Sequence, residues 1–175
     1  QSGAPFSIND IVPIANHLTE AGVVAVKADS PYKTIEELVA AAKEKGNLKA
    51  STNGNKASNH TAAQLLAKSA GFKYKAIPYG GTADQLLALR QGEVDFTCAK
   101  VADVAKLVKG DKPELRVLAV FNTKRDPELP NVPTLGEKGL YPEWYGSARA
   151  LVAPKGTKPE VIQYYVEAFK KTMQD

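Results

Sequence analysis

Strand-type and helix-type patterns alternate six times along this chain, and the joints between them carry start and stop signals. "AGVVAVKAD", residues 21–29, is an apolar run of the length of one buried strand, closed by "SPYKT". Thr34, with Glu37 three residues later, makes a capping-box pattern ahead of "IEELVAAAKEKG". Lys43 and Lys45 stand in the last turn of that helix, before a terminating Gly46. The unit recurs. "LKAS" is a short strand running into the loop "STNGNKASNH". Ser58 or Asn59 is expected to cap the next helix, which runs to about Ala70 with Gly71 beyond its end. "KYKAIPY" is the next strand. In "GGTADQLLALRQG" a Gly-Gly turn precedes Thr82 as cap and Gln85 at the third position, with Leu86, Leu87 and Leu89 as the buried stripe and Gly92 as the stop.

"EVDFTCA" continues the series as a strand, and "VADVAKLVKG" as a helix with Val101, Val104, Ala105 and Val108 in register. "ELRVLAVF" is a strand. Residues 122–142, rich in proline and charge, read as an ordered loop with one turn of helix around 134–138. "SARALVAP" is a last strand and "KPEVIQYYVEAFKKTMQD" a terminal helix. Up to Asn16 no period is visible, and Pro5 and Pro13 favour an extended or looping course. Alternation without a hairpin signal is the pattern of an α/β layer fold with a mainly parallel sheet flanked by helices. In such sheets ligands bind beyond the carboxyl ends of the strands, where loops lead into helix N-termini. "STNGNKASNH" and "PYGGT" are loops of that kind.

With 43% hydrophobic and 24% charged residues, 175 positions suffice for one core and an appendage rather than two full domains. A net charge of +4 is modest, and no basic block interleaved with aromatics argues for nucleic acid. Cys98 is the single cysteine, so there is neither an internal disulfide nor a thiolate metal site, and no cofactor is implied. No window reaches the ~18 apolar residues of a membrane span. "QSGAPFSIND" lacks a basic-then-apolar signal pattern, as the mature form of an exported protein would too.

Two catalytic readings of residues 51–60 fail on spacing. A serine hydrolase pairing Ser51 or Ser58 with His60 lacks the G-x-S-x-G elbow, and side chains two apart at a helix start do not face each other. A phosphate loop needs glycine directly before the lysine and a hydroxyl after it; here Asn55 separates Gly54 from Lys56, and Ala57 follows. His17 and His60 are not spaced as a metal pair, and Glu93 and Asp95 flank a strand end as solvated or structural carboxylates do. What remains is physical: a small polar loop exposes backbone N–H groups, and the helix behind it adds partial positive charge, which together suit a carboxylate or phosphate. Two ordinary capped turns would look the same in sequence.

The blocks "SPYKTIEELVAAAKEKG", "STNGNKASNH", "IPYGGTADQLLALRQGEVDF", "LRVLAVFNTKRDPELPNVPTLGEKGL" and "ALVAPKGTKPEVI" occur in that order. From about Pro5 to about Met173 the chain thereby resembles the substrate-binding receptors of the tripartite tricarboxylate transporter system, the TctC or Bug family. The run from Lys124 to Leu135 is the most specific part.

That resemblance implies a type II periplasmic binding protein, a two-lobed flytrap of roughly twice this length, consistent with two domains of ordinary size. It places residues 1–22 as a segment coming from the other lobe, 23–146 as the second ligand-binding lobe, and 147–175 as a crossing strand and helix returning toward the first lobe. The implied activity is capture of a small, carboxylated solute without catalysis, for delivery to the membrane components of a transporter. The implied setting is periplasmic, with a monomeric full-length protein.

By the family's loop pattern the ligand-binding candidates are Thr52, Asn53, Gly54, Asn55, Lys56, Ala57, Ser58 and His60, then Tyr79, Gly80, Gly81 and Thr82, and Cys98 on the following strand. Lys56 and Ala57 stand where relatives commonly have glycine and a hydroxyl residue, and Gly80 where they have a basic one. Lys56 either adds a cationic contact or points to solvent. Beyond "VDFTC", where relatives often place an acidic or amide residue that meets the ligand, this chain has Ala99 and Lys100. The alternatives are the effector-sensing domain of a transcription regulator, whose architecture is similar, and a Ser/His hydrolase.

Overall fold

The computed structural model describes residues 5–174, which divide into two compact units: 20–147, and the described parts of 1–19 with 148–175. The strands are β1 (Ile11–Lys27), β2 (Lys49–Thr52), β3 (Lys75–Pro78), β4 (Phe96–Lys100), β5 (Leu115–Phe121) and β6 (Gly146–Pro154). The helices are α1 (Ile35–Lys45), α2 (Ser58–Ala70), α3 (Thr82–Gln91), a four-residue α4 (Val101–Val104) and α5 (Pro159–Thr172).

Five strands of one sheet run in the order β3-β2-β4-β1-β5, and β6 pairs with β1 off that path. β2 lies parallel to both β3 and β4, whereas β1 is antiparallel to both β4 and β5. Thus β2, β3, β4 and β5 point one way, as expected of a mainly parallel sheet, and β1 alone opposes them. An apolar run buries equally well in either direction, so nothing in "AGVVAVKAD" marks its reversal. Within the unit 20–147 that run is buried on both faces. Val24 and Val26 join one core cluster with Ile35, Leu38, Leu66, Phe96 and Phe121. Val23 and Ala25 join the other, with Leu86, Leu89, Val104, Leu115 and Val120. Covered faces of this kind explain why the strand reads as continuous rather than alternating apolar sequence.

α1 forms where the sequence predicts it. The Thr34 hydroxyl accepts from the Glu37 N–H at 3.2 Å, Glu37 reaches back to the Thr34 N–H, and Gly46 ends the helix at φ 67. Its buried residues, Ile35, Leu38, Val39 and Ala42, hold one face at i, i+3, i+4 and i+7. Gly71 and Gly92 end α2 and α3 in the same left-handed conformation.

Four local expectations are corrected. β1 extends back to Ile11, taking in residues 11–16 of the stretch without a period, after a short 3-10 turn over Ile8–Asp10; residues 1–4 lie outside the described residues. α4 stops at Val104, and only turns and bends follow to Gly110. The segment at 134–138 is a set of turns, anchored by a parallel bridge between Val120 and Thr134. Leu87 is 45% exposed, because the buried face of α3 is Gln85, Leu86, Ala88 and Leu89. That last shift turns a glutamine inward, with consequences for the site.

In the other unit, α5 is amphipathic, opening on Pro159 and closing with Lys170 and Lys171 in its last turn. No residue of α5 is buried, and Tyr164 and Tyr165 stand exposed. His17 meets Phe169 edge to face, and the Lys155 N–H donates to the Asp10 carbonyl at 2.8 Å. Among the described residues no helix is long and apolar enough to cross a membrane.

Candidate functional site

The carboxyl ends of β3, β2 and β4 lie side by side, and each leads into a helix. The pairing Thr52↔Pro78 continues in a bond from the Tyr79 N–H to the Thr52 carbonyl, 2.9 Å. The loops 53–57 and 79–81 are therefore neighbours, and so are the helix starts behind them.

Neither helix start carries a capping side chain. The N-cap of α2 is Ala57, extended at φ −72 and ψ 167, and that of α3 is Gly81; no side-chain cap bond is present at either. The sequence expectation of Ser58 or Asn59 as cap, and of Thr82 as cap with Gln85 at the third position, is corrected here. Ser58 and Thr82 are already the first helical residues, so their side chains lie past the position from which a cap reaches the second and third N–H groups. The two loops are neighbours because β2 pairs with β3.

A buried polar chain ties these helix starts to the strands. Lys100, the last residue of β4, is 5% exposed. Its ammonium donates to the Asn59 Oδ1 at 2.5 Å and the Ser58 Oγ at 3.2 Å, both in the first turn of α2. Asn59 donates in turn from Nδ2 to the Gln85 Oε1 at 2.9 Å, joining the first turn of α2 to that of α3. The Gln85 Nε2 reaches the carbonyls of Ser51 at 3.2 Å and Cys98 at 2.7 Å, and the Thr97 hydroxyl. Ser51 and Thr97 bond across β2 and β4 at 3.0 Å. Burial drives the Lys100 ammonium below its ordinary pKa, against the opposing influence of Asp103, Cys98 and Glu20.

In the first loop the side chains of Asn55 and Lys56 are exposed, and Lys56 has φ 60, the one non-glycine residue with positive φ among those described. Glycine would hold that conformation without the Cβ penalty. His60 steadies it: its Nδ1 accepts from the Lys56 N–H at 3.1 Å. Thr52 is buried and donates to the Gly54 carbonyl at 3.4 Å. The Asn53 Oδ1 is buried and has no partner among the described residues. Tyr145, which no motif singles out, donates from its hydroxyl to the Ser58 carbonyl at 3.2 Å.

Ser58 and His60 serve different partners, Lys100 and the Lys56 N–H, so no Ser–His dyad exists. In the second loop Gly80 is exposed and Gly81 and Thr82 partly so. The Tyr79 hydroxyl is bonded to Glu93 at 3.1 Å, beyond the C-terminus of α3, so the ring is turned from the helix start and only its backbone belongs to the loop. Cys98 is corrected outright. It is wholly buried in the core, and burial pushes its thiol up to about 12, so it presents no side chain to a solute.

Asn59 and Gln85 are residues that motif reading misses as site members, and Lys100 enters it only as a departure from the family's pattern. The sequence signal of Asn59 and Gln85 is a polar residue inside an apolar helical stripe: Gln85 precedes Leu86 and Leu89, and Asn59 precedes Ala62, Ala63 and Leu66. Each occupies a position where the pattern asks for an apolar side chain.

The sequence profile described as "Tripartite tricarboxylate transporter family receptor" matches residues 3–175. The "UPF0065 protein in gbd 5'region" of Cupriavidus necator is 37% identical over 167 residues, covering 95% of this chain and 49% of the relative. Among solved structures, a TctC solute binding protein from Polaromonas, without ligand, has a TM-score of 0.84 at 30% identity, over 98% of this chain and 58% of that one. An R. palustris protein with adipate has a TM-score of 0.77 at 26% identity, over 89% and 52%. The chain thus spans about half the length of the curated relative it matches.

Proposed function

This chain belongs to the tripartite tricarboxylate transporter receptor family, and we propose that it supplies one wall of the site at which the whole receptor captures a small carboxylated solute. Its family and its solved neighbours are solute-binding proteins rather than enzymes. One observation carries the ligand class. Two helices, α2 and α3, begin side by side without capping side chains at adjoining strand ends; α1 is fully capped, and α5, in the other unit, also lacks a side-chain cap. Uncapped N–H groups at a helix start have no intrahelical acceptor, and a carboxylate satisfies them while meeting the positive end of the helix dipole.

The neighbour with bound adipate supports a dicarboxylate scale for the ligand. Delivery to the membrane components of a tripartite transporter, and a periplasmic setting, follow from the family and belong to this same reading. Isothermal titration of the full-length receptor against a panel of di- and tricarboxylates is the test. Saturable binding of at least one acid is expected, and a well-folded receptor that binds none contradicts the reading.

A further inference from the structure

We infer that Lys100 makes this site select on ligand charge, so that a diacid is held in preference to the same molecule with one carboxylate replaced by an amide. The inference rests on the carboxylate reading above.

Lys100 is nine-tenths buried and sets its ammonium against the first turn of α2, which Asn59 joins to the start of α3. An ammonium has three donors. Two of them end on neutral oxygens, the Ser58 hydroxyl and the Asn59 amide, and the third has no acceptor among the described residues. No carboxylate lies within ion-pair distance of its nitrogen among the described residues. The acidic groups that act on it do so at longer range. Asp103 spends its Oδ2 on the Lys100 backbone N–H at 3.1 Å, and Glu20 contributes a weaker field. Asp84, in the first turn of α3, is exposed to solvent.

A buried cation without a counter-ion is costly, and the dipole of α2 adds positive potential at the same place, which worsens rather than relieves it. The side chain is nonetheless held there by Asn59, which Gln85 orients through the chain of amides running to Thr97 and Ser51. A scaffold built to keep a bare ammonium beneath uncapped N–H groups is complementary to formal negative charge. Neutral hydrogen-bond acceptors satisfy the amides equally well but leave the ammonium unpaired. A ligand's second charge is therefore rewarded here by more than its hydrogen bonds.

The test uses the full-length receptor, with succinate, adipate and their half-amides as titrants and K100M, K100Q and K100R as variants. Wild type is expected to favour the diacid over its half-amide by about tenfold or more, the effect of one charge contact at modest effective dielectric. In K100M and K100Q that ratio collapses toward about two, while K100R retains most of it. Equal affinity for diacid and half-amide in wild type, or an unchanged ratio in both neutral variants, overturns the inference and leaves the carboxylate reading standing. Binding of neither diacid, nor of any other panel acid, by the folded wild type brings down both.

Discussion

Placing a capping side chain at residue 57 should stabilise the ligand-free protein and damage its binding. Ala57 already has the extended backbone of an N-cap, so the substitution needs no rearrangement of the chain. A serine there can accept from the N–H of Asn59 or His60, and exchanging alanine for such a cap contributes about 1 kcal/mol. Over 175 residues that corresponds to a rise in melting temperature of about 2–4 °C. Aspartate adds a charge at the positive end of α2 and close to the buried ammonium, so Ala57→Asp should exceed Ala57→Ser by about 0.5–1 kcal/mol at low salt. The excess should shrink when Lys100 is also replaced by methionine, and a double-mutant cycle on chemical denaturation reads that coupling directly. Titration of the full-length Ala57→Asp receptor should show diacid affinity reduced by about tenfold or more, since the new carboxylate occupies the ligand's donors. If Ala57→Ser and Ala57→Asp both melt at or below wild type, the N–H groups at the start of α2 are not free. The reasoning that makes them a binding surface then fails.

Other substitutions probe the scaffold around that turn. Lys56→Gly should raise stability by about 0.5–1 kcal/mol, the relief of a left-handed residue less the entropy glycine adds to the unfolded chain, whereas Lys56→Ala should change little. Urea melts of the two variants decide it. Leu66, fully buried between α2 and the sheet, should cost about 2–5 kcal/mol on truncation to alanine, read from the same melts. The Cys98 thiol should resist a thiol reagent at pH 8 in the native protein and react only after unfolding. Its folded pKa is raised from 9.0 to about 12, so between those values the native state holds a proton that the unfolded chain releases. Stability therefore falls as pH rises through that window, and any advantage of wild type over Cys98→Ala should shrink as denaturation is repeated above pH 9.

What sequence could and could not reveal follows a physical division. Where a signal is local, it was readable: Thr34 with Glu37, and the glycines at 46, 71 and 92, declare helix ends through interactions made within a few residues. Both loops were found from their small polar composition, and their contact follows from β2 lying beside β3. Where a signal depends on which element lies across the way, it was not. The reversal of β1 needs a partner strand to be defined, and the apolar run is the same in either sense. Ser58 looks like a cap because serine is good at capping, yet its hydroxyl meets Lys100, forty-two residues on, and the helix starts one position earlier than a serine cap requires. Leu87 and Gln85 exchange their expected faces for a related reason. A stripe of leucines in a short helix admits two phases, and the amides of Gln85 and Asn59 choose between them by pairing at the start of α3.

That pairing also explains how the strand ends tolerate so many local penalties at once. A left-handed lysine, two helices without caps, a buried ammonium and an Asn53 oxygen without a partner among the described residues all fall at the carboxyl ends of β2, β3 and β4 or in the turns after them. Each costs on the order of 1–3 kcal/mol in isolation, and none is found at the capped start of α1. They persist because rigid neighbours over-determine them. β2 and β4 fix Ser51 and Thr97, those two hold Gln85, Gln85 holds Asn59, and Asn59 holds the ammonium. In the proposed site the donors and the ammonium are consequently in position before a solute arrives, and binding there need not organise them. Conversely, a ligand that satisfies them removes several penalties together, which makes stabilisation by the correct solute larger than its few contacts alone would suggest.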